Sequence, residues 1–302
     1  MAKKIITILG ITGQQGASVA DVFLREGSWH IRGVTRDPSK ATSQEWVKKG
    51  VEMVKGDAGD AAQLTAAFAG SNVIFGVTDF WGITRDPKIQ EQAKTENVPV
   101  NTIAYDVEVQ HGKNIVDAAN ATLDTLDRFV LSTLSHTKKW SGGKYAHNFH
   151  FDAKWMAVEY LRTTYPQLAE KTSYLQVGLY LTNWKGFGPL PFGKPVKQTD
   201  GTAPAGQNLL GTRGPSSWTE YAALWGKVHG VECRFERLDR QILEQAVPGG
   251  IGEEMADMFE YVSEFGYDGR DPTVVLPKDL GVPISLPTVE DYIKQEDWSS
   301  LL

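Results

Sequence analysis

The chain has 302 residues, 41% of them hydrophobic, with 37 acidic against 31 basic side chains and a net charge of −6. That length and apolar content suffice for a large core, as one domain or as one domain with a smaller lobe. The acidic balance excludes an electrostatic footprint for nucleic acid and a polybasic membrane patch; no apolar run is long enough to span a bilayer, and a single cysteine, Cys233, excludes an internal disulfide. Cys233 has no histidine–carboxylate context and reads as a small buried apolar residue rather than a nucleophile.

Ile5-Ile6-Thr7-Ile8-Leu9 reads as the first strand, with no leader segment expected ahead of it. It runs into Gly10-Ile11-Thr12-Gly13-Gln14-Gln15-Gly16 and then a helix over about 16–27. A turn this tight needs residues without a Cβ and presents backbone N–H groups at a helix N-terminus, where a phosphate binds. Glycines alone are weak evidence, but strand, glycine turn and helix together read as a dinucleotide site. Gly10, Thr12, Gly13, Gln15 and Gly16 are its expected cofactor contacts.

Further strands are expected at Trp29–Thr35, Val51–Val54, Asn72–Val77, Arg128–Ser132 and Ser173–Val177. Helical patterns fall between them at about 41–49, 60–68, 100–121 and 151–165. Alternating β and α elements imply a parallel sheet covered on both faces, with ligands outside the carboxyl ends of its strands. From about 183 to 216, repeated Gly and Pro break any period, and only Asn208-Leu209-Leu210 looks strand-like. So long a stretch suggests a functional or disordered loop. Helical patterns return at 217–229, 239–246 and 250–265, with a last short helix after Thr288 as N-cap. The expected division is a dinucleotide-binding domain over 1–182 and a loop with a mainly helical lobe, packed on it, over 183–302.

The strand ends supply the candidate chemistry. After the second strand, Arg36 and Lys40 suit a 2′-phosphate better than ribose hydroxyls, so NADP(H) is expected, with NAD(H) as the alternative. Asp37 precedes a proline and reads as a turn starter. After the third strand, Asp57, followed by Ala58, either accepts from an adenine amino group or caps the next helix. After the fourth, Thr78, Asp79 and Phe80 face the expected pyrophosphate and nicotinamide side, and Phe80 with Trp81 either walls an apolar pocket or packs as core. Ser132 ends the fifth strand. His150 and Lys154 stand four apart and share one helix face. Lys154 reads as a cofactor contact. His150 reads first as a packing or capping residue, with general acid as the alternative. Tyr180 and Trp184 join Trp81 as a candidate substrate lining. No metal is expected.

These residues resemble NmrA-like proteins, an atypical branch of the extended short-chain dehydrogenase/reductase superfamily. The resemblance rests on Gly10–Gly16 with Gln14-Gln15, Val34-Thr35-Arg36-Asp37-Pro38, Gly56-Asp57, Thr78-Asp79-Phe80-Trp81, Val107–Ala119, His150-Phe151-Asp152-Ala153-Lys154, Glu220–Leu224 and Ala256–Phe259. A stretch at about 84–104 looks like an insertion of fungal members. The resemblance implies an α/β Rossmann fold, a doubly wound parallel sheet with a small C-terminal lobe. It implies NADP or NAD binding, Arg36 and Lys40 at the 2′-phosphate and Lys154 near the cofactor. Short-chain reductases place Tyr-x-x-x-Lys where this chain has His150-x-x-x-Lys154, and no tyrosine of this chain is followed four residues on by lysine. A redox-sensing regulator without tyrosine-dependent chemistry is therefore the expected function. The alternatives are an NADPH-dependent reductase of a small organic, secondary-metabolite-like substrate and a protein-docking scaffold. Its partners would be a small-molecule substrate or a regulatory protein, without direct nucleic-acid or membrane binding, in the cytoplasm or also the nucleus. The chain departs from the family between the sixth strand and Glu220, where about one βα unit is expected to be missing.

Overall fold

The computed structural model describes residues 3–181, 207–212, 216–237, 239–281 and 288–299. Six strands, β1 (Ile5–Leu9), β2 (His30–Thr35), β3 (Glu52–Lys55), β4 (Val73–Gly76), β5 (Arg128–Thr133) and β6 (Thr172–Val177), pair side by side in parallel. With β7 (Asn208–Gly211) and β8 (Val274–Val275) the sheet order is β3-β2-β1-β4-β5-β6-β7-β8. The order reverses between β1 and β4, which creates a crevice at the carboxyl ends of those strands.

Between the parallel strands run α1 (Gln14–Glu26), α2 (Ala41–Lys48), α3 (Ala61–Phe68), α4 (Phe80–Thr84), α5 (Pro87–Glu96), α6 (Val100–Asn120), α7 (Thr137–Trp140), α8 (Phe149–Thr164) and α9 (Pro166–Lys171). Beyond β7 lie α10 (Trp218–His229), α11 (Arg240–Ala246), α12 (Ile251–Phe265) and, last, α13 (Val289–Gln295), which Thr288 caps by accepting from the Asp291 N–H. Strand alternation sends neighbouring residues to opposite faces. Ile6, Ile8, Ile31 and Phe75 pack with Ile11, Ala20 and Trp46 on one side. Leu9, Val34, Ile74, Phe129 and Leu131 pack with Leu64, Ile115, Trp155 and Val158 on the other.

The chain divides into two compact units. The first holds β1–β6, α1–α9, α11 and α12; the second holds α10 and α13. The segment 84–104, read as an insertion, contains a helix of its own. Asp86 caps α5 through the Lys88 N–H, Pro87 opens it, and Asn97 closes it in the left-handed region at φ 54°. The stretch where a βα unit was expected to be missing runs largely through 182–206, outside the described residues.

In the first unit α6 and α8 cross so closely that a Cβ on Gly112 would stand 2.7 Å from the Ala157 Cβ. Helix propensity favours Ala over Gly by about 1 kcal/mol, whereas overpacking costs about 1–3 kcal/mol. Gly112→Ala should therefore lower the urea midpoint, and a raised midpoint would show that the two helices separate freely.

Candidate functional site

The glycine turn after β1 leaves no room for a side chain at Gly10 or Gly16. Gly10 has φ +71°, and a Cβ on Gly16 would lie 2.3 Å from the Gly10 carbonyl oxygen. Gly13, the N-cap of α1, has no side chain with which to cap the helix. The result is a bare helix N-terminus facing the crevice, which fits a pyrophosphate by shape and by dipole. Ser132 Oγ donates to Gln15 Oε1 at 2.8 Å and ties the end of β5 to this turn.

At the end of β2, Arg36 and Lys40 are exposed, and among the described residues neither side chain makes a hydrogen bond or ion pair, while the Lys40 backbone joins the turn into α2. Asp37 is occupied instead: its carboxylate accepts from the Ser39 N–H at 2.9 Å and from Ser39 Oγ at 2.6 Å, which holds its pKa below the usual value. Asp37 thus closes a turn. At the end of β3, Asp57 accepts from the Gly59 N–H at 2.8 Å, while Asp60 is the residue that caps α3. Asp57 therefore holds the turn ahead of α3, and the capping role expected of it falls to Asp60. The Ala58 carbonyl accepts from Asn114 Nδ2. His111 reaches this corner from α6, and burial lowers its pKa although Asp57 and Glu108 pull it up.

At the end of β4, Asp79 caps α4 by accepting from the Gly82 N–H. Phe80 is enclosed with Ile83 and Ala104 and backs the crevice as core; Trp81 stays half-buried. Tyr180 is half-buried and belongs to the second unit, and Trp184 lies outside the described residues.

Helix α8 carries the least expected arrangement. Lys154 Nζ donates to Thr78 Oγ1 at 3.0 Å and forms an ion pair with Glu108 of α6, whose side chain has no solvent exposure. One turn earlier, His150 Nδ1 stands 2.7 Å from Glu254 Oε1 of α12, also fully enclosed. The His150 backbone N–H donates to the same oxygen at 2.8 Å, and Asn101 Nδ2 donates to Glu254 Oε2 at 3.0 Å. The imidazole lies against Trp81, Phe80 and Phe151, with ring centroids 4.9, 5.8 and 4.9 Å away. Acidic residues on one face of α12 hold the whole approach to α8. Asp257 accepts from the His147 N–H, and Glu264 from Tyr145 OH.

Glu108, Glu254 and Asn101 were not singled out from the sequence, although a signal existed. Asn101, Ala104, Glu108 and Gly112 recur at helical spacing on the buried stripe of α6, and Glu254 shares the buried stripe of α12 with Met258 and Tyr261. A carboxylate on such a stripe must be paired.

The NmrA-like family profile matches residues 2–210. The chain belongs to the NmrA-like family. It is 28% identical over 162 residues to the NmrA-like family domain-containing oxidoreductase malD of Malbranchea aurantiaca, and 31% identical over 164 residues to ptmS of Penicillium ochrochloron. Those matches cover 53% and 54% of this chain but 43% of each relative, so the chain matches less than half the length of these relatives. Among solved structures, the negative transcriptional regulator NmrA in complex with NAD superposes with a TM-score of 0.64 at 16% identity, covering 98% of this chain and 95% of that one. The NADPH-dependent quinone oxidoreductase QOR2 of Escherichia coli, complexed with NADPH, gives 0.63 at 19% identity, covering 95% and 98%. These likenesses establish a Rossmann-type fold. Among the described residues no helix is long and apolar enough to cross a membrane.

Asp152, between His150 and Lys154, is buried and accepts weakly from the Lys138 N–H. Burial pushes its carboxyl up to about 7, and Glu254 adds to the rise. In the unfolded chain this group loses its proton near pH 3.8. Between there and about pH 7 the native state holds a proton the unfolded state lacks, so this group's contribution to stability falls as pH rises. Asp152→Asn should gain stability relative to wild type by about 2 kcal/mol between about pH 5 and pH 8, read from urea midpoints. A difference independent of pH would contradict the assignment.

Proposed function

We propose that this chain is an NADP(H)-dependent reductase of a small organic substrate bearing a C=O or C=N bond. The observation that carries this reading is the face of α8, where His150 and Lys154 stand side by side, each tied to its own enclosed glutamate. Enclosed ion pairs seldom stabilise a fold better than apolar residues of similar volume would. The Lys154–Glu108 pair, next to a second enclosed glutamate held against His150 at the mouth of a dinucleotide crevice, makes sense as chemistry.

When bound, NADPH supplies a hydride to the substrate carbon. The bare turn at Gly10–Gly16 would hold the pyrophosphate, Arg36 and Lys40 the 2′-phosphate, Asp57 the adenine amino group, and Lys154 the nicotinamide ribose. His150 would give the substrate heteroatom its proton. The curated relatives malD and ptmS are named oxidoreductases, which supports the reading. The regulator reading rests on one observation, the missing Tyr-x-x-x-Lys, and on the likeness in fold to NmrA.

The reading is tested by following loss of NADPH absorbance with a panel of carbonyl, imine and enone compounds. Turnover is expected. Lys154→Ala alone would strand Glu108 without a partner, at a cost of about 3–5 kcal/mol. Lys154→Met with Glu108→Gln keeps the interior neutral and should cut turnover by roughly 100-fold or more. No turnover by the intact chain, together with a protein partner whose binding follows the NADPH/NADP ratio, would favour the regulator instead.

Cofactor choice is tested separately. A charge-assisted contact to phosphate is worth about 1.5–3 kcal/mol. Arg36→Ala should therefore weaken NADPH binding roughly 10- to 100-fold in a fluorescence titration and leave NADH binding within about twofold. Equal losses for both would remove Arg36 from the 2′-phosphate.

A further inference from the structure

Glu254 lies beyond the span of the family match, in a helix whose other acids hold the chain leading into α8. Its carboxylate faces three N–H groups: the His150 backbone, Asn101 Nδ2 and the His150 ring. It also lies in the first turn of α12, where the helix dipole favours negative charge. The backbone N–H and the Asn101 amide are fixed donors, one to each oxygen, so the carboxylate acts as acceptor at both. A carboxylate acceptor at 2.7 Å requires the proton on His150 Nδ1. The other ring nitrogen, Nε2, has no hydrogen-bond partner among the described residues, and the side chain keeps 8% exposure beside the half-buried Trp81.

We propose that Glu254, braced by Asn101, is the positioning residue that locks His150 with Nδ1 protonated and Nε2 as the nitrogen that exchanges protons with substrate. This rests on the reductase reading. In reduction of a C=O or C=N bond, the imidazolium Nε2–H would supply the proton that the substrate heteroatom gains. His150 returns to the neutral Nδ1–H form, which Glu254 continues to hold, and water restores the proton at Nε2. The charged groups around the imidazole are Glu254 from α12, Asp152 and Lys154 from α8 itself, Glu108 from α6 behind Lys154, and His147 with Glu253 and Asp257 at the start of the helix.

The experiment is a long-range 15N–1H NMR titration of the full chain, with His150 assigned by comparison with His150→Asn. The wild type should show the Nδ1–H tautomer when neutral. Glu254→Gln should let the Nε2–H tautomer appear. In NADPH turnover, Glu254→Gln should lower kcat about tenfold or more, while KM for NADPH stays within about twofold. An Nε2–H tautomer in the wild type, or a tautomer unchanged by Glu254→Gln, would overturn the proposal. The wild-type tautomer is read without Glu254→Gln, so a Glu254→Gln chain that fails to fold leaves the proposal falsifiable. If the wild type turns over no substrate, the reductase reading falls and takes the proton transfer with it. The tautomer then decides the pairing alone.

Discussion

Two glutamate side chains with no solvent exposure set what α8 presents to the crevice. An isolated carboxylate in such a place costs far more than a folded domain can spare, so it must find donors or a cation. Glu108 finds Lys154, and Glu254 finds His150, its backbone N–H and Asn101. Each glutamate comes from a different helix, α6 on one side and α12 on the other. The side chains of α8 are therefore aimed by their anions, and any shift of α6 or α12 re-aims them.

The same helix depends on the sheet for its position. Six parallel strands place the ends of β1, β2, β3, β4 and β5 along one edge, and the reversal between β1 and β4 opens the crevice there. Thr78, just past β4, bonds Lys154 Nζ; Ser132, at the end of β5, bonds Gln15. The two bonds link the α8 face and the phosphate turn to neighbouring strands. The distance between them is thus fixed by strand spacing more than by loops.

Most of the sheet was legible in the sequence because buried parallel strands read as short apolar runs, and all six expected strands appear within one or two residues of their predicted bounds. The glycine turn was legible because Gly16 admits no substitute against the Gly10 carbonyl. Asp37 as a turn residue could be read from the proline that follows it. Less legible was α5, where Asp86-Pro87 marks a helix start inside a stretch taken for an insertion. The glutamate partners of His150 and Lys154 were hidden for a different reason. Helical spacing shows that Glu108 and Glu254 face inward, but 46 positions separate Glu108 from Lys154 and 104 separate His150 from Glu254. Only the tertiary fold chooses among the cations that could meet them.

That choice bears on the replacement of tyrosine by histidine. A tyrosine acid is neutral with its proton on, so a nearby lysine cation lowers its pKa without opposing a second cation. A histidine acid is positive with its proton on, and at four residues from Lys154 it faces a like charge on the same helix face. Within a poorly solvated crevice two adjacent cations repel strongly unless anions stand behind them. Glu108 behind Lys154 and Glu254 behind His150 meet that requirement one for one. In the proposed reading the second glutamate is the physical condition for using an imidazole at this position.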